Sequence, residues 1–210
     1  PVPVGTIGNQ TDIDADSITP LDITSFFDDV DGDTLTYTAT GLPPGLSLDP
    51  VTGQITGTVD HSASQTNGGV YNVVITADDG KGGTTTQTFD WTITNPTPIA
   101  NDDTATSTED STVNGNVLGG AGVGAGDVTD TDPDGDALVV TTFTVAGDAT
   151  VHTAGSGSVV IAGVGTLQLG TNGQYQFVPD ADWNGTVPTI TYEISDGEGG
   201  TDTATLIITV

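Results

Sequence analysis

The chain has 210 residues, with 29 Asp and Glu against one basic residue, Lys81, giving a formal net charge of −28. Nothing in it can neutralise phosphates, which excludes nucleic acid and anionic membrane surfaces as partners, and the absence of cysteine excludes a disulfide framework, a thiolate metal site and a cysteine nucleophile. Hydrophobic residues make up 34% and aromatics 5%, with 30 Gly and 11 Pro, so the length suits one large β domain or two sandwiches of about 100 residues with small aliphatic cores and many turns.

Apolar residues recur with period two in short runs. In chain order these are Leu35-Thr36-Tyr37, then Tyr71, Val73 and Ile75, then Phe89, Trp91 and Ile93. The second half repeats the pattern with Leu167/Leu169, Tyr175/Phe177, Ile190/Tyr192/Ile194 and Leu206/Ile208/Val210. Turn signals separate the runs: Gly41 to Gly45, Asp49-Pro50, Asn67-Gly68, Asn172-Gly173 and Asn184-Gly185. No helix is expected, and no stretch approaches the roughly 18 apolar residues of a membrane helix. No signal peptide is visible; the chain opens on Pro1 and lacks Met, so it reads as an excerpt of something longer.

Two motif pairs recur in the same order. Asp29-Val-Asp31-Gly-Asp33-Thr-Leu35 matches Asp132-Pro-Asp134-Gly-Asp136-Ala-Leu138, and Asp79-Gly-Lys-Gly-Gly-Thr84 matches Asp196-Gly-Glu-Gly-Gly-Thr201. Each pair precedes β-rich sequence, which gives two similar all-β sandwich domains, 1–95 and 96–210. The Pro-containing stretch Thr94-Asn-Pro-Thr-Pro98 between them is short, extended and stiff.

The acidic residues are mostly Asp, gathered in Gly-rich loops between the apolar runs rather than spread as in a disordered acidic chain. Two carboxylates about 5 Å apart repel by roughly 3 kcal/mol at an effective dielectric near 20, so loops holding several of them need a cation to fold compactly. Hard oxygen ligands point first to Ca²⁺. In DxDGD the carboxylates take alternate positions around a Gly that permits a tight bend. The spacing is not that of an EF-hand, whose position 6 is Gly and position 12 Glu, where this chain has Thr34 and Thr40, then Ala137 and Phe143. The competing reading is that these are solvated turns, since Asp and Gly favour turns regardless.

In a sandwich of Ig-like topology, the loop after the second strand, the loop before the last strand and the incoming linker share one end. Asp132, Asp134, Asp136 and Asp196 would then meet Asn101, Asp102 and Asp103 at the junction, with Asp14 or Asp60 added from the lower loops of the first domain. By the same geometry Asp29, Asp31, Asp33 and Asp79 face upstream, and Glu109 and Asp110, with Asp180 or Asp182, face downstream.

The first half carries FxDxDGDxLTYTATGLPPGLSLDPxTGxITGT from Phe27, then Tyr71-Asn-Val-Val-Ile-Thr-Ala-Asp-Asp-Gly-Lys-Gly-Gly83. It resembles the cadherin-like Ig repeats of bacterial surface proteins, the dystroglycan-type cadherin group. The second half has Pro98-x-Ala100-x-Asp102, Glu109-Asp110, DPDGDAL, Gly165-Thr-Leu-Gln-Leu169, Gly173-Gln-Tyr-Gln-Phe-x-Pro179 and Ser195-Asp-Gly-x-Gly-Gly200, and resembles the VCBS-type cadherin-like repeats of giant RTX adhesins. Together the resemblances cover nearly the whole chain. They imply two tandem Ig-like, cadherin-like Greek-key β-sandwiches, calcium at the junctions, type I secretion and display on the bacterial cell surface. The junction reads Asn101-Asp102-Asp103 rather than the DxNDN of animal cadherins, and no GGxGxDxUx run is present.

Catalysis finds little support. His61 and His152 lie in no recognisable motif, and Ser and Asp are too abundant for a triad composed on paper to carry meaning. Trp91 alternates in phase with Phe89 and Ile93 and is expected in the core; Trp183, in a turn, reads as a plug for the sandwich base. The leading expectation is a monomeric, non-enzymatic, calcium-binding extender, with neighbouring repeats of the same chain as partners. The other readings are a carbohydrate-binding module using Trp183 and a homotypic adhesion domain.

Overall fold

The computed structural model describes residues 1–119 and 126–210, and every count below refers to those residues. The chain divides into two compact units, Pro1–Pro96 and Thr97–Val210. Both are all-β sandwiches; the helical segments are three short 3-10 turns in the first unit, Thr24–Phe26, Ala63–Gln65 and Asn67–Gly69.

In the first unit a four-stranded sheet runs in the order Gln10–Ile13, Thr84–Thr94, Val70–Asp78, Thr36–Thr40. A three-stranded sheet of Leu21–Asp22, Gln54–Gly57 and Leu46–Leu48 accompanies it, and Val2–Pro3 pairs with Phe27–Asp28. Alternation along the strands sends every second side chain inward. Tyr71 stands opposite Trp91 and Val73 opposite Phe89, and these join Ile23, Ile55, Ile75 and Ile93 in one core. Trp91 is buried as its phase predicts, and its indole N–H donates to Asp12 Oδ2 at 2.7 Å.

In the second unit the five-stranded sheet has the order Asp103–Thr106, Thr201–Thr209, Ile190–Ser195, Val139–Val145, His152–Thr153. The four-stranded sheet runs Val113–Asn116, Gln174–Pro179, Gly165–Leu169, Ser158–Ile161. The core forms from Phe143, Leu167, Leu169, Phe177, Ile190, Tyr192, Ile194, Leu206 and Ile208 among others. In both units an early strand lies parallel to the last one, Gln10–Ile13 on Thr84–Thr94 and Asp103–Thr106 on Thr201–Thr209.

Register fixes where the acidic loops go. Val139 pairs with Ser195 and Ser195 with Thr201, so the DPDGD loop ahead of Val139 and the DGEGG turn after Ser195 share one end of the five-stranded sheet. Thr36, Asp78 and Thr84 do the same for the corresponding loops of the first unit.

Candidate metal centre

Asp132 organises the DPDGD loop. Its Oδ1 accepts the N–H of Asp134 at 3.1 Å and of Asp136 at 3.3 Å, and its carbonyl accepts that of Gly135 at 3.3 Å. The chain can close this tightly because Gly135 takes a φ of +89°, which costs a residue without Cβ little. The result turns three carboxylates inward: one oxygen each from Asp132, Asp134 and Asp136 lies within 4.8 Å of the others.

Asp134 is the exceptional member, only 8% exposed. Neither of its carboxylate oxygens meets an N–H or O–H donor among the described residues, and neither does Asp132 Oδ2. Burial, then the Asp132 carboxylate beside it and the charge of Asp136, push the Asp134 acid up to about 7. A buried carboxylate without a donor is unfavourable; a hard cation with all-oxygen coordination relieves that cost, and a donor set with no nitrogen or sulfur suits the hard divalent cations Ca²⁺, Mg²⁺ and Mn²⁺.

The rest of that end is built around the same loop. Asp196 Oδ1 accepts the N–H groups of Glu198 at 2.8 Å and Gly200 at 3.0 Å. A Cβ at Gly200 would strike the Asp196 carboxylate and lie 2.8 Å from Pro98 Cδ, so the turn requires glycine and the incoming segment packs on it. Ile99 and Thr131 exchange backbone hydrogen bonds of 2.8 and 3.1 Å. Asn101 Nδ2 donates to the Thr129 carbonyl at 2.9 Å, and Asp102 Oδ1 accepts the N–H and hydroxyl of Thr205, both at 2.8 Å. Asp103 has no exposed surface; its Oδ1 accepts Val128 N–H at 2.7 Å and its Oδ2 the Tyr192 hydroxyl at 2.9 Å. Both oxygens of Asp103 are thus engaged by protein donors, whereas Asp102 sits at the surface.

The first unit repeats the backbone pattern with different burial. Asp29 Oδ1 accepts the N–H groups of Asp31 at 3.0 Å and Asp33 at 3.1 Å, and Asp79 Oδ1 those of Lys81 at 2.7 Å and Gly83 at 2.9 Å. The two motifs converge, since the Pro1 nitrogen stands 3.0 Å from Asp29 Oδ2 and 3.8 Å from Asp79 Oδ2. The Asp33 N–H holds the Asp29 acid below the usual carboxylate range, and the Lys81 N–H does so for Asp79. Asp31, the counterpart of Asp134, is exposed.

The remaining candidates have surroundings of their own. Asp14 is 1% exposed; its Oδ1 accepts Ser64 N–H at 3.0 Å and its Oδ2 meets no donor among the described residues. Asp60 Oδ1 is taken up by the N–H and hydroxyl of Ser62. Glu109 and Asp110 are exposed, and Asp110 Oδ1 accepts Asp182 N–H at 2.9 Å. Trp183 is half-buried, edge-on to Phe177 at 6.3 Å between ring centroids and flanked by Gly185.

Sequence reasoning passed over Asp130, which is 5% exposed and whose Oδ1 accepts Asn101 N–H at 2.7 Å. Desolvation by burial raises the Asp103 and Asp130 acids to about 6. A signal existed: Asp130 continues the alternate run Asp132, Asp134, Asp136 one step upstream.

Residues 95–210 match the family model described as "Bacterial cadherin-like domain", and residues 1–94 match the one described as "Putative Ig domain". No curated protein matches the chain. Among solved structures it is similar to a Drosophila N-cadherin fragment, EC1-4, at 12% identity over 96% of this chain and 47% of that one, with a TM-score of 0.36. Human protocadherin-24 EC1-2 is similar at 14% identity over 98% and 94%, with a TM-score of 0.35. An endo-fucoidan hydrolase of glycoside hydrolase family 107 is similar at 16% identity over 100% and 28%, with a TM-score of 0.39. The chain thus spans little more than a quarter of that hydrolase.

Proposed function

The chain belongs, through residues 95–210, to the bacterial cadherin-like domain family, and from that premise we propose that it is a calcium-binding extender segment of a large secreted surface adhesin of the RTX kind. Ig-like and cadherin-like domains are as a rule non-enzymatic, and in this reading the chain is mechanical rather than catalytic. One observation carries the calcium assignment: Asp134, buried and without a donor, among carboxylates within 4.8 Å.

Asp132, Asp134 and Asp136 would hold the ion, which supplies the positive charge that lets three carboxylates share one turn. Calcium takes roughly 6–8 oxygens, so three carboxylates leave positions for water, backbone carbonyls or the oxygens of a neighbouring repeat. Completing the shell from a neighbouring repeat would fix one sandwich relative to the next and stiffen the array, projecting a distal binding domain from the cell surface. The exposed Asp31 makes the first loop, in this reading, the one more dependent on such outside ligands.

Small-angle scattering of the 210-residue chain in calcium and in chelator tests the mechanical part. The expected result is a narrower distribution of interatomic distances in calcium, together with a higher melting temperature. Identical scattering and melting in the two conditions would contradict it.

A further inference from the structure

We propose that Tyr192 and Asp130 are positioning residues for the Asp132–Asp136 loop, fastening it and the incoming Ile99–Asp103 segment to the five-stranded sheet so that Asp134 is in place before an ion arrives. The inference rests on the cation reading above and adds residues that would not touch the ion.

Tyr192 projects from the middle of Ile190–Ser195 and is 1% exposed. Its hydroxyl oxygen is surrounded by oxygens of three separate segments: the Asn101 carbonyl at 2.8 Å, Asp103 Oδ2 at 2.9 Å, the Val117 carbonyl at 3.3 Å and Asp130 Oδ2 at 3.4 Å. A phenol has one proton to donate, and its two nearest acceptors, the Asn101 carbonyl and Asp103 Oδ2, both belong to the incoming segment, so Tyr192 fastens that segment directly and reaches Asp130 chiefly through it. Asp130 closes the ring, because its other oxygen accepts Asn101 N–H at 2.7 Å. One residue further on, Thr131 is paired in both directions with Ile99, and the next residue is Asp132. No slack separates the fastening from the first carboxylate of the loop.

The neighbouring tyrosine provides the contrast. Tyr175 is also buried, and its hydroxyl donates to Asp127 Oδ1 at 3.1 Å. Asp127 in turn accepts Asn116 N–H at 2.9 Å, so this bond ties the early part of the segment to the four-stranded sheet. Removal of the Tyr175 hydroxyl therefore takes away a bond of the same kind without releasing Asn101 or Asp130.

The experiment uses the whole chain, with calcium affinity measured by competition against a chromophoric chelator and backbone amide exchange followed at Asp134 and Asp136. The loop's site is identified as the one lost in Asp134→Asn. Direct hydrogen-bond partners of metal ligands are worth roughly tenfold to a hundredfold in affinity; Tyr192 and Asp130 act one step further out, so Tyr192→Phe and Asp130→Ala are expected to weaken that site by about tenfold, the lower end of that range. Asp130→Asn keeps an acceptor for Asn101 N–H and is expected to restore affinity to within a few-fold of the parent. Tyr175→Phe is expected to leave it near the parent value. An unchanged affinity in Tyr192→Phe overturns the proposal, as does an Asp130→Asn variant as weak as Asp130→Ala, which would mark Asp130 as a ligand by its charge. If Tyr192→Phe does not fold, the two Asp130 variants decide. If the parent chain takes up no calcium, the cation reading fails on its own. Amide exchange without calcium then still tests the fastening: faster exchange at Asp134 and Asp136 in Tyr192→Phe than in Tyr175→Phe supports it, and equal exchange refutes it.

Discussion

Asp134 and Gly200 show how much of this structure turns on single atoms. The Asp134 carboxylate is buried against Asp132 and Asp136 with no donor among the described residues. Replacing one oxygen by an amide removes the charge and supplies two N–H groups to the neighbouring carboxylates. Asp134→Asn is therefore expected to raise the stability of the second unit in chelator by about 1 kcal/mol and to abolish its stabilisation by calcium; denaturant unfolding with and without the ion checks both signs. At Gly200 a methyl group would collide with the Asp196 carboxylate that holds the turn. Gly200→Ala should cost about 1–3 kcal/mol in the same measurement, with the loss confined to the second unit.

At the scale of the element, the strands were readable and the polar network was not. Period-two alternation placed Tyr71, Val73 and Ile75, Phe89, Trp91 and Ile93, and Ile190, Tyr192 and Ile194 on inward faces, and all nine are buried. That works because a half-buried antiparallel strand leaves its period in the sequence. The paired DxDGD and DGxGG motifs likewise announced tight loops, and each folds around its first aspartate. What local patterning cannot convey is which aspartates become buried. Asp31 and Asp134 hold the same place in the same motif, yet one is exposed and the other is not, because burial depends on segments far away in the chain. For the same reason Tyr192 read only as core: its hydroxyl partners come from residues 101, 103, 117 and 130.

The loop and its network also set a pH dependence. The Asp134 acid is raised to about 7 and those of Asp103 and Asp130 to about 6, from an ordinary 3.8, mainly by burial. Between about pH 4 and pH 7 the unfolded chain has therefore released protons that the folded unit retains, so stability falls as pH rises through that window. Below about pH 4 the sign reverses, because the Asp102 and Asp148 acids, lowered chiefly by the N–H groups of Thr205 and Thr150, contribute stability that protonation removes. In chelator the melting temperature of the second unit is expected to peak near pH 4–5 and decline towards neutrality. Saturating calcium should remove the part of that decline due to Asp134 and leave the part due to Asp103 and Asp130. A chelator profile that rises steadily from pH 4 to pH 7 would contradict burial as the force that governs these three carboxyl groups.

At the scale of the molecule there are two units, each with its own core and its own pair of acidic loops at one end. Separate cores predict two unfolding transitions by calorimetry, with calcium moving the second unit's transition. At an ion concentration a hundredfold above Kd, binding to the folded state alone adds about 2.7 kcal/mol, which for a domain of about 100 residues is a shift of roughly 10–20 °C. An extender further predicts that the chain stays monomeric in calcium, whereas homotypic adhesion predicts a dimer; sedimentation velocity separates them. The most direct test of the central claim is isothermal titration of calcium into the parent chain and into Asp134→Asn near neutral pH. The account predicts saturable uptake by the parent, with at least one site per chain missing from the variant. Heats indistinguishable from dilution up to millimolar calcium, or identical isotherms for the two proteins, would contradict it.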